Sequence, residues 1–403
     1  MKKLVFPPVS RPDVTIVMVT FGAPKWVRRS LRAVIERTEP CYEVIVVDNA
    51  SPRGMADALS RQLENARLIS NPVNRGFGPA CNQGANVARG PLLVFLNSDA
   101  LVHPGWLSSL REAIESRPRI AAVAPRLLNL DGTLQEAGAL LFGNGFTQFY
   151  GYGDDPEGSQ YGFPREIDYA SAACLLVRRR AFFEVGGFDA IYAPAYYEDV
   201  DLCLSLRERG YRILYEPRAR VTHARGASSS PTLAVRLWQR NHPLFFERWK
   251  DRLRSRPEYA PPDGNPRLRI AARDAPASTR ILVAAEDEAG ARDLSERLAG
   301  LYPESARTIV FGGGAPDREG VDRLASAGWE IVSDQATIAK RLFHYDAVVF
   351  RGENARGIFG SVVDETQPQA ARLSSDVPDL PGALAAAGIP PRDLAEAPRP
   401  DLG

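Results

Sequence analysis

Apolar, β-branched segments recur in the first hundred residues; one of the three ends in an aspartate and another reaches one three residues on. They are VTIVMVTF (14–21), YEVIVVD (42–48, ending at Asp48) and LLVFL (92–96), the last followed by Asn97-Ser98-Asp99. Continuous apolar runs of this length read as strands buried on both faces. Between the first two, residues 23–38 place Trp26, Val27, Leu31, Val34 and Ile35 at helical spacing, with Pro24 near the start. A short helix near 55–64, a strand near 67–70, a glycine-rich turn at 74–78 and a helix near 79–89 complete the pattern. This β-α-β-α alternation predicts an open α/β sheet with ligands at the carboxyl ends of its strands.

After Asp99 the rhythm changes. Residues 105–116 read as a helix and 120–128 as a strand. Residues 134–163 are rich in Gly, Tyr and Phe with little periodicity and read as a loop-rich insertion. Strand character returns at 167–177, a helix is expected at 198–209, and 212–223 holds strands separated by Pro217. A basic, aromatic helix follows at 231–254. The expected domains are 1–255, a linker at 256–278 rich in Pro, Ala and Arg, a second and smaller α/β domain at 279–365, and a poorly ordered Pro/Ala-rich tail at 366–403.

A chain of 403 residues has room for two or three such domains. Its formal net charge of +1 supplies no global basic field, so nucleic acid is not an expected partner. Cys41, Cys81, Cys174 and Cys203 form no CxxC pair, which disfavours a zinc site or a disulfide framework. No run approaches the roughly 18 apolar residues of a membrane span, and the first residues lack a signal-peptide core, so a cytoplasmic protein is expected.

Four polar clusters sit at strand or helix ends. Asp48 ends a strand and is suited to a base or ribose; a turn-capping role is as probable on its own. Asn74-Arg75-Gly76-Phe77-Gly78 lets backbone approach a nucleotide, although a plain tight turn reads the same way. Asn97-Ser98-Asp99 places one carboxylate where a hard cation meets a diphosphate; a lone Asp there is more often a helix cap. Glu198-Asp199-Val200-Asp201 opens a helix, where acidic residues suit the dipole in any case, but a crowded carboxylate there also makes a base. His223 ends a strand beside a flexible loop and is a candidate partner for a metal at Asp99.

In this order the residues resemble glycosyltransferase family 2, of the type that includes bacterial rhamnosyltransferases and galactofuranosyltransferases. The matching stretches are VVDNAS (46–51), NRGFGPACNQG (74–84), FLNSD (95–99), SAACLLVRR (171–179), GGFD (186–189), YEDVD (197–201) and His223, within about residues 12–250. The resemblance implies a GT-A nucleotide-diphospho-sugar transferase fold. It implies an inverting, metal-dependent transfer from a dTDP- or UDP-sugar to a saccharide or lipid-linked acceptor in bacterial surface polysaccharide synthesis. Thr20, Phe21, Asp48, Asn74, Arg75, Gly76, Asn97 and Ser98 would then line the nucleotide-sugar site. Asp99 and His223 would hold Mg²⁺ or Mn²⁺, Asp199 would be the base with Glu198 beside it, and Tyr197 and Asp201 would face the acceptor. The chain departs from the DxD pattern in keeping only Asp99.

The 279–365 stretch is similar to the opening half of a GT-B-type transferase and, lacking a second lobe, is expected to be Rossmann-like and non-catalytic. Its Gly312-Gly313-Gly314 reads as a plain loop before a phosphate loop. Two rival functions stand beside transfer: a catalytically inactive GT-A scaffold or nucleotide-sugar-binding protein, and a nucleotidyltransferase. The second is disfavoured because Gly22-Ala23-Pro24-Lys25 is not the glycine- and lysine-rich loop that class needs. The 231–254 helix is expected to pack its aromatics inward, with peripheral contact at the inner face of a membrane as the alternative.

Overall fold

The computed structural model describes residues 3–52, 54–226, 231–312, 316–332, 344–366, 370–374 and 379–390. These divide into two compact units, one within 1–161 and 166–264 and the other within 162–165 and 265–403. Both are α/β, as the strand runs require.

The first unit is built on a ten-stranded mixed sheet. From the strand Arg212–His223 its order runs through Ile120–Leu128, Cys174–Arg178, Leu92–Leu96, Val14–Thr20 and Tyr42–Asp48 to Arg67–Ser70. The last four are mutually parallel, and their register sets Thr20 opposite Asp48. Cys174–Arg178 is antiparallel to both of its neighbours. Helix Pro24–Arg37 buries Val27, Leu31 and Val34 on one face, and helix Trp106–Glu115 buries Trp106, Leu110 and Ile114. Each such side chain contributes about 1.5–3 kcal/mol of burial energy. Helix Phe77–Asn86 lies unusually close to the sheet: a Cβ on Gly84 would stand 2.4 Å from Val17 Cγ1.

Several boundaries differ from the sequence reading, each for a local reason. Arg212–His223 is one strand rather than two; its register shifts between Glu216 and Arg220, a bulge that accommodates Pro217. The strand expected at 167–177 is confined to Cys174–Arg178. Upstream of it Asp168 is drawn off by ion pairs to Arg207 and Arg256. The 134–163 insertion contains short strands at Leu134–Glu136, Ala139–Leu141 and Thr147–Phe149, too short to show periodicity. Helix Pro231–Leu253 buries Asn241, Phe245, Trp249 and Leu253, a stripe at four-residue spacing. Among the described residues no helix is long and apolar enough to cross a membrane.

The second unit has a five-stranded parallel sheet, in the order Glu330–Val332, Ser305–Phe311, Thr279–Ala285, Ala347–Arg351 and Ala371–Ser374. The connectivity is that of a Rossmann half, with its switch point between Thr279–Ala285 and Ala347–Arg351. Helix Pro266–Arg273 occupies part of the stretch read as a linker, started by Asn265 and Pro266. The stretch read as a poorly ordered tail contributes the edge strand Ala371–Ser374 and helix Leu380–Ala386, which buries Leu380 and Leu384. Gly313 and Gly314 lie outside the described residues.

Candidate active site

At the carboxyl edge of the first unit's parallel strands, Thr20 Oγ1 donates to Asp48 Oδ1 at 3.0 Å and the Ser51 amide donates to Asp48 Oδ2 at 3.2 Å. Asp48 is thereby fixed and almost fully buried. Phe21, next to Thr20, is exposed. Asn49, which the sequence reading passed over as a site residue, organises the glycine turn. Its Nδ2 donates to Asn74 Oδ1 at 2.9 Å and to the Gly76 carbonyl at 3.1 Å, while its Oδ1 accepts from Asn71 and from the Arg75 amide. Arg75 is exposed and Gly76 is buried. Gly76 has φ +90°, and a Cβ there would lie 2.9 Å from Pro194 Cα, so both the turn and its neighbour demand glycine.

The Asn97-Ser98-Asp99 turn and His223 meet directly. His223 Nε2 lies 3.2 Å from Asp99 Oδ1 and 3.2 Å from Asn97 Nδ2. Ser98 is buried in the same turn. His223 Nδ1 lies 2.8 Å from Gln135 Oε1. Among the described residues no group of three or more His, Cys, Asp or Glu side chains could hold a metal ion. Asp99 and His223 are thus a two-donor set. Such a set fits a hard cation that takes its remaining ligands from phosphate oxygens and water.

The third element is the start of helix Glu198–Glu208. Tyr196 and Tyr197 precede it, both with φ +75°, a conformation that costs a non-glycine residue on the order of 1 kcal/mol or more. Asn241 holds this turn in place: its buried Nδ2 lies 2.8–2.9 Å from the carbonyls of Tyr192, Ala195 and Tyr196. Glu198 is buried, and its carboxyl is pushed well up by desolvation and by the neighbouring Asp199 charge. Asp199 is half-buried, and desolvation raises it too, opposed by the amides of Val200 at 2.8 Å and Ala172 at 3.4 Å. Both carboxyls of the pair are thus raised, Glu198 by burial and the Asp199 charge, Asp199 by burial against two amide donors.

One short segment joins these elements. The Ala172 amide points at Asp199 Oδ2, and the next carbonyl, of Ala173, accepts from the Asn97 amide at 2.9 Å. Immediately before them, the Ser171 amide donates to Glu136 Oε1 at 3.1 Å, beside the Gln135 that meets His223. The Asp99–His223 pair and Asp199 are thereby linked through this one segment. Tyr197 and Asp201 are placed differently from the acceptor-facing positions expected of them. Tyr197 is buried with its hydroxyl on the Gly145 carbonyl, and Asp201 Oδ1 accepts from Tyr192 and from Trp249 Nε1 at 2.8 Å. Both are taken up in packing against helix Pro231–Leu253.

The model of the family described as Glycosyl transferase family 2 matches residues 15–186. The chain is 32% identical over 232 residues to the O-antigen biosynthesis protein RfbC of Myxococcus xanthus, covering 55% of this chain but only 18% of that protein. It is 30% identical over 241 residues to the N-acetylglucosaminyl-diphospho-decaprenol L-rhamnosyltransferase of Mycobacterium tuberculosis, covering 53% of this chain and 76% of that one. A crystal structure of GalNAc-T7 with UDP, GalNAc and Mn²⁺ aligns with a TM-score of 0.49 at 18% identity, over 61% of this chain and 49% of that one, too slight a likeness to carry an argument.

Proposed function

The chain belongs to glycosyltransferase family 2, and from that premise we propose that it transfers a sugar, with inversion, from a dTDP- or UDP-sugar to a saccharide or lipid-linked acceptor in surface polysaccharide synthesis. The observation that carries this reading is the Ala172–Ala173 segment, which touches Asp199 on one side and the Asn97–Asp99 turn on the other. A base and a cation position linked in this way suit a displacement at an anomeric carbon.

In the proposed reaction Asp199 takes the proton of the acceptor hydroxyl. That oxygen forms a bond to the anomeric carbon from the face opposite the diphosphate. The bond from that carbon to the diphosphate oxygen breaks, and its electron pair leaves with the nucleoside diphosphate. Asp99 and His223 would hold Mg²⁺ or Mn²⁺, which when bound neutralises charge on the leaving diphosphate. Glu198, buried beside the base, has its carboxyl raised by burial and by the Asp199 charge. Asp48 and the turn fixed by Asn49 would receive the nucleotide, with Phe21 and Arg75 at its open side. The rhamnosyl transfer named for the mycobacterial relative makes a deoxyhexosyl donor the first to try. A lipid-linked acceptor would bring the protein to the inner face of a membrane, where the exposed Leu233, Val235 and Leu244 of helix Pro231–Leu253 would make peripheral contact.

The test is Asp199→Asn assayed with Mg²⁺ or Mn²⁺ and a donor found by a thermal-shift screen of dTDP- and UDP-sugars. Transfer should fall about 10²–10⁴-fold while donor affinity stays within about twofold. Transfer near the wild-type rate would remove Asp199 as the base.

A further inference from the structure

We infer that Gln135 is the positioning residue of the cation site: it fixes the ring of His223, and with it the nitrogen that faces Asp99. This rests on the reading of Asp99 and His223 as cation ligands and concerns a residue to which neither the sequence pattern nor that reading assigns a role.

The orientation of the Gln135 amide is forced by backbone carbonyls, which can only accept. Asn129 Nδ2 lies 3.1 Å from the Leu134 carbonyl and 3.0 Å from Thr133 Oγ1, so Asn129 Oδ1 is turned the other way, to Gln135 Nε2 at 2.9 Å. Gln135 Nε2 also lies 2.9 Å from the His223 carbonyl. With its nitrogen committed to two acceptors, Gln135 presents Oε1 to His223 Nδ1, and at 2.8 Å Nδ1 must be the donor. In the neutral ring the proton is then on Nδ1 and the lone pair is on Nε2, the atom 3.2 Å from Asp99 Oδ1. One buried amide thus grips His223 at its ring and at its backbone together. It does so from the strand Leu134–Glu136, which is paired to Ile120–Leu128 and so has little freedom to move.

The grip matters because, among the described residues, no third His, Cys, Asp or Glu side chain joins the pair. A ring free to rotate about its χ angles, or to exchange tautomers, would present Nε2 to the cation for only part of the time. A hydrogen-bond partner of this kind typically changes metal affinity by about 10–100-fold when removed.

The test uses the full chain and Mn²⁺ as probe, titrated by electron paramagnetic resonance in the presence of dTDP and, separately, UDP. The variants are Gln135→Met, which keeps the length without the amide, Gln135→Asn, whose amide falls short of Nδ1, and His223→Ala. Both Gln135 variants should bind Mn²⁺ about 10–100-fold more weakly than wild type, with a thermal midpoint above the assay temperature and unchanged nucleotide affinity in the absence of metal. Mn²⁺ affinity within about twofold of wild type in both, while His223→Ala loses it, overturns the role of Gln135 and leaves the ligand pair standing. Equal Mn²⁺ affinity in wild type and His223→Ala sinks the ligand pair, and the positioning role with it. Loss of a cooperative melt in both Gln135 variants would make Gln135 a folding residue and also overturn the assignment.

Discussion

The two sheets treat the helix starts near their carboxyl edges in opposite ways. In the first unit, helices Pro24–Arg37, Met55–Gln62 and Phe77–Asn86 begin at Ala23, Gly54 and Gly76, and none of these N-caps makes a side-chain hydrogen bond. In the second unit Asp287, Asp317 and Asp379 each accept an amide of the helix they start, and Glu286 Oε1 accepts the Asn354 amide at the start of Glu353–Thr366. A helix N-terminus is an anion site only while its amides are free and no carboxylate stands in front of them. At the described helix starts, the first edge has no side-chain cap, whereas the second is capped by carboxylates of its own chain. A Rossmann-like order therefore does not make the second unit a donor-binding lobe.

Buried charge at the start of helix Glu198–Glu208 also differs from that in the second unit. In the second, Arg273 is bidentate to Asp274 at 2.6 and 2.7 Å and also reaches Glu330 at 2.8 and 3.0 Å, while His344 Nε2 lies 2.8 Å from Asp274. Arg273, with His344, holds the Asp274 carboxyl well below the usual range against the opposing effect of burial. In the first, Glu198 and Asp199 are pushed up instead, and among the described residues no ion pair joins either. Compensated charge makes a structural pin; uncompensated charge leaves a group free to take a proton.

The largest effect should come from breaking the pin. Arg273→Met strands Asp274 and Glu330 without their guanidinium and should cost about 3–5 kcal/mol in a denaturant melt of the second unit. A loss below about 1 kcal/mol would show that the network is not what holds helix Pro266–Arg273, and the contrast in buried charge would fail with it.

Next is the pH dependence of the Glu198 side. With its native carboxyl raised, Glu198 ionises in the unfolded chain before it does in the native one. The unfolded state then holds fewer protons, so stability is full below the ordinary carboxylate range and falls as pH rises toward the raised value. Each pH unit within that window is worth about 1.4 kcal/mol. Glu198→Gln removes the group, so the variant should melt above wild type at neutral pH and show a flatter profile. A wild-type midpoint that instead rises with pH across this window would reverse the assignment.

These features were unequally visible in the sequence. Strands ending at Asp48 and Leu96 were legible because fully buried parallel strands are continuous apolar runs, and Asp99, Asp199 and His223 were legible because they follow strands or open a helix. Gln135 and Asn241 were not. Gln135 sits in a three-residue strand with no periodicity and meets its partner 88 residues away. Asn241 lies on a helix whose arginines draw attention to its outer face, and it acts 45 to 49 residues back on the strained turn. Asp201 misled because a carboxylate in the first turn of a helix looks the same whether it faces a ligand or a buried tryptophan. An uncharged amide that works only through partners distant in sequence leaves no local signature.

The smallest effect separates the two edges most directly. Asp287 Oδ1 accepts the Gly290 amide at 2.8 Å at the second unit's switch point. Asp287→Ala should cost about 1 kcal/mol, as for other N-caps, and leave dTDP and UDP affinity unchanged, since the proposed nucleotide site is on the other sheet. Asp48→Ala should do the converse: it empties the carboxylate that Thr20 and Ser51 hold and should weaken nucleotide binding by about 10-fold or more, the loss of a hydrogen bond to a charged group. Calorimetry on the two variants gives four numbers. A nucleotide affinity that moves with Asp287 and not with Asp48 would exchange the roles of the two edges, because only a ligand seated at the second switch point would feel that cap.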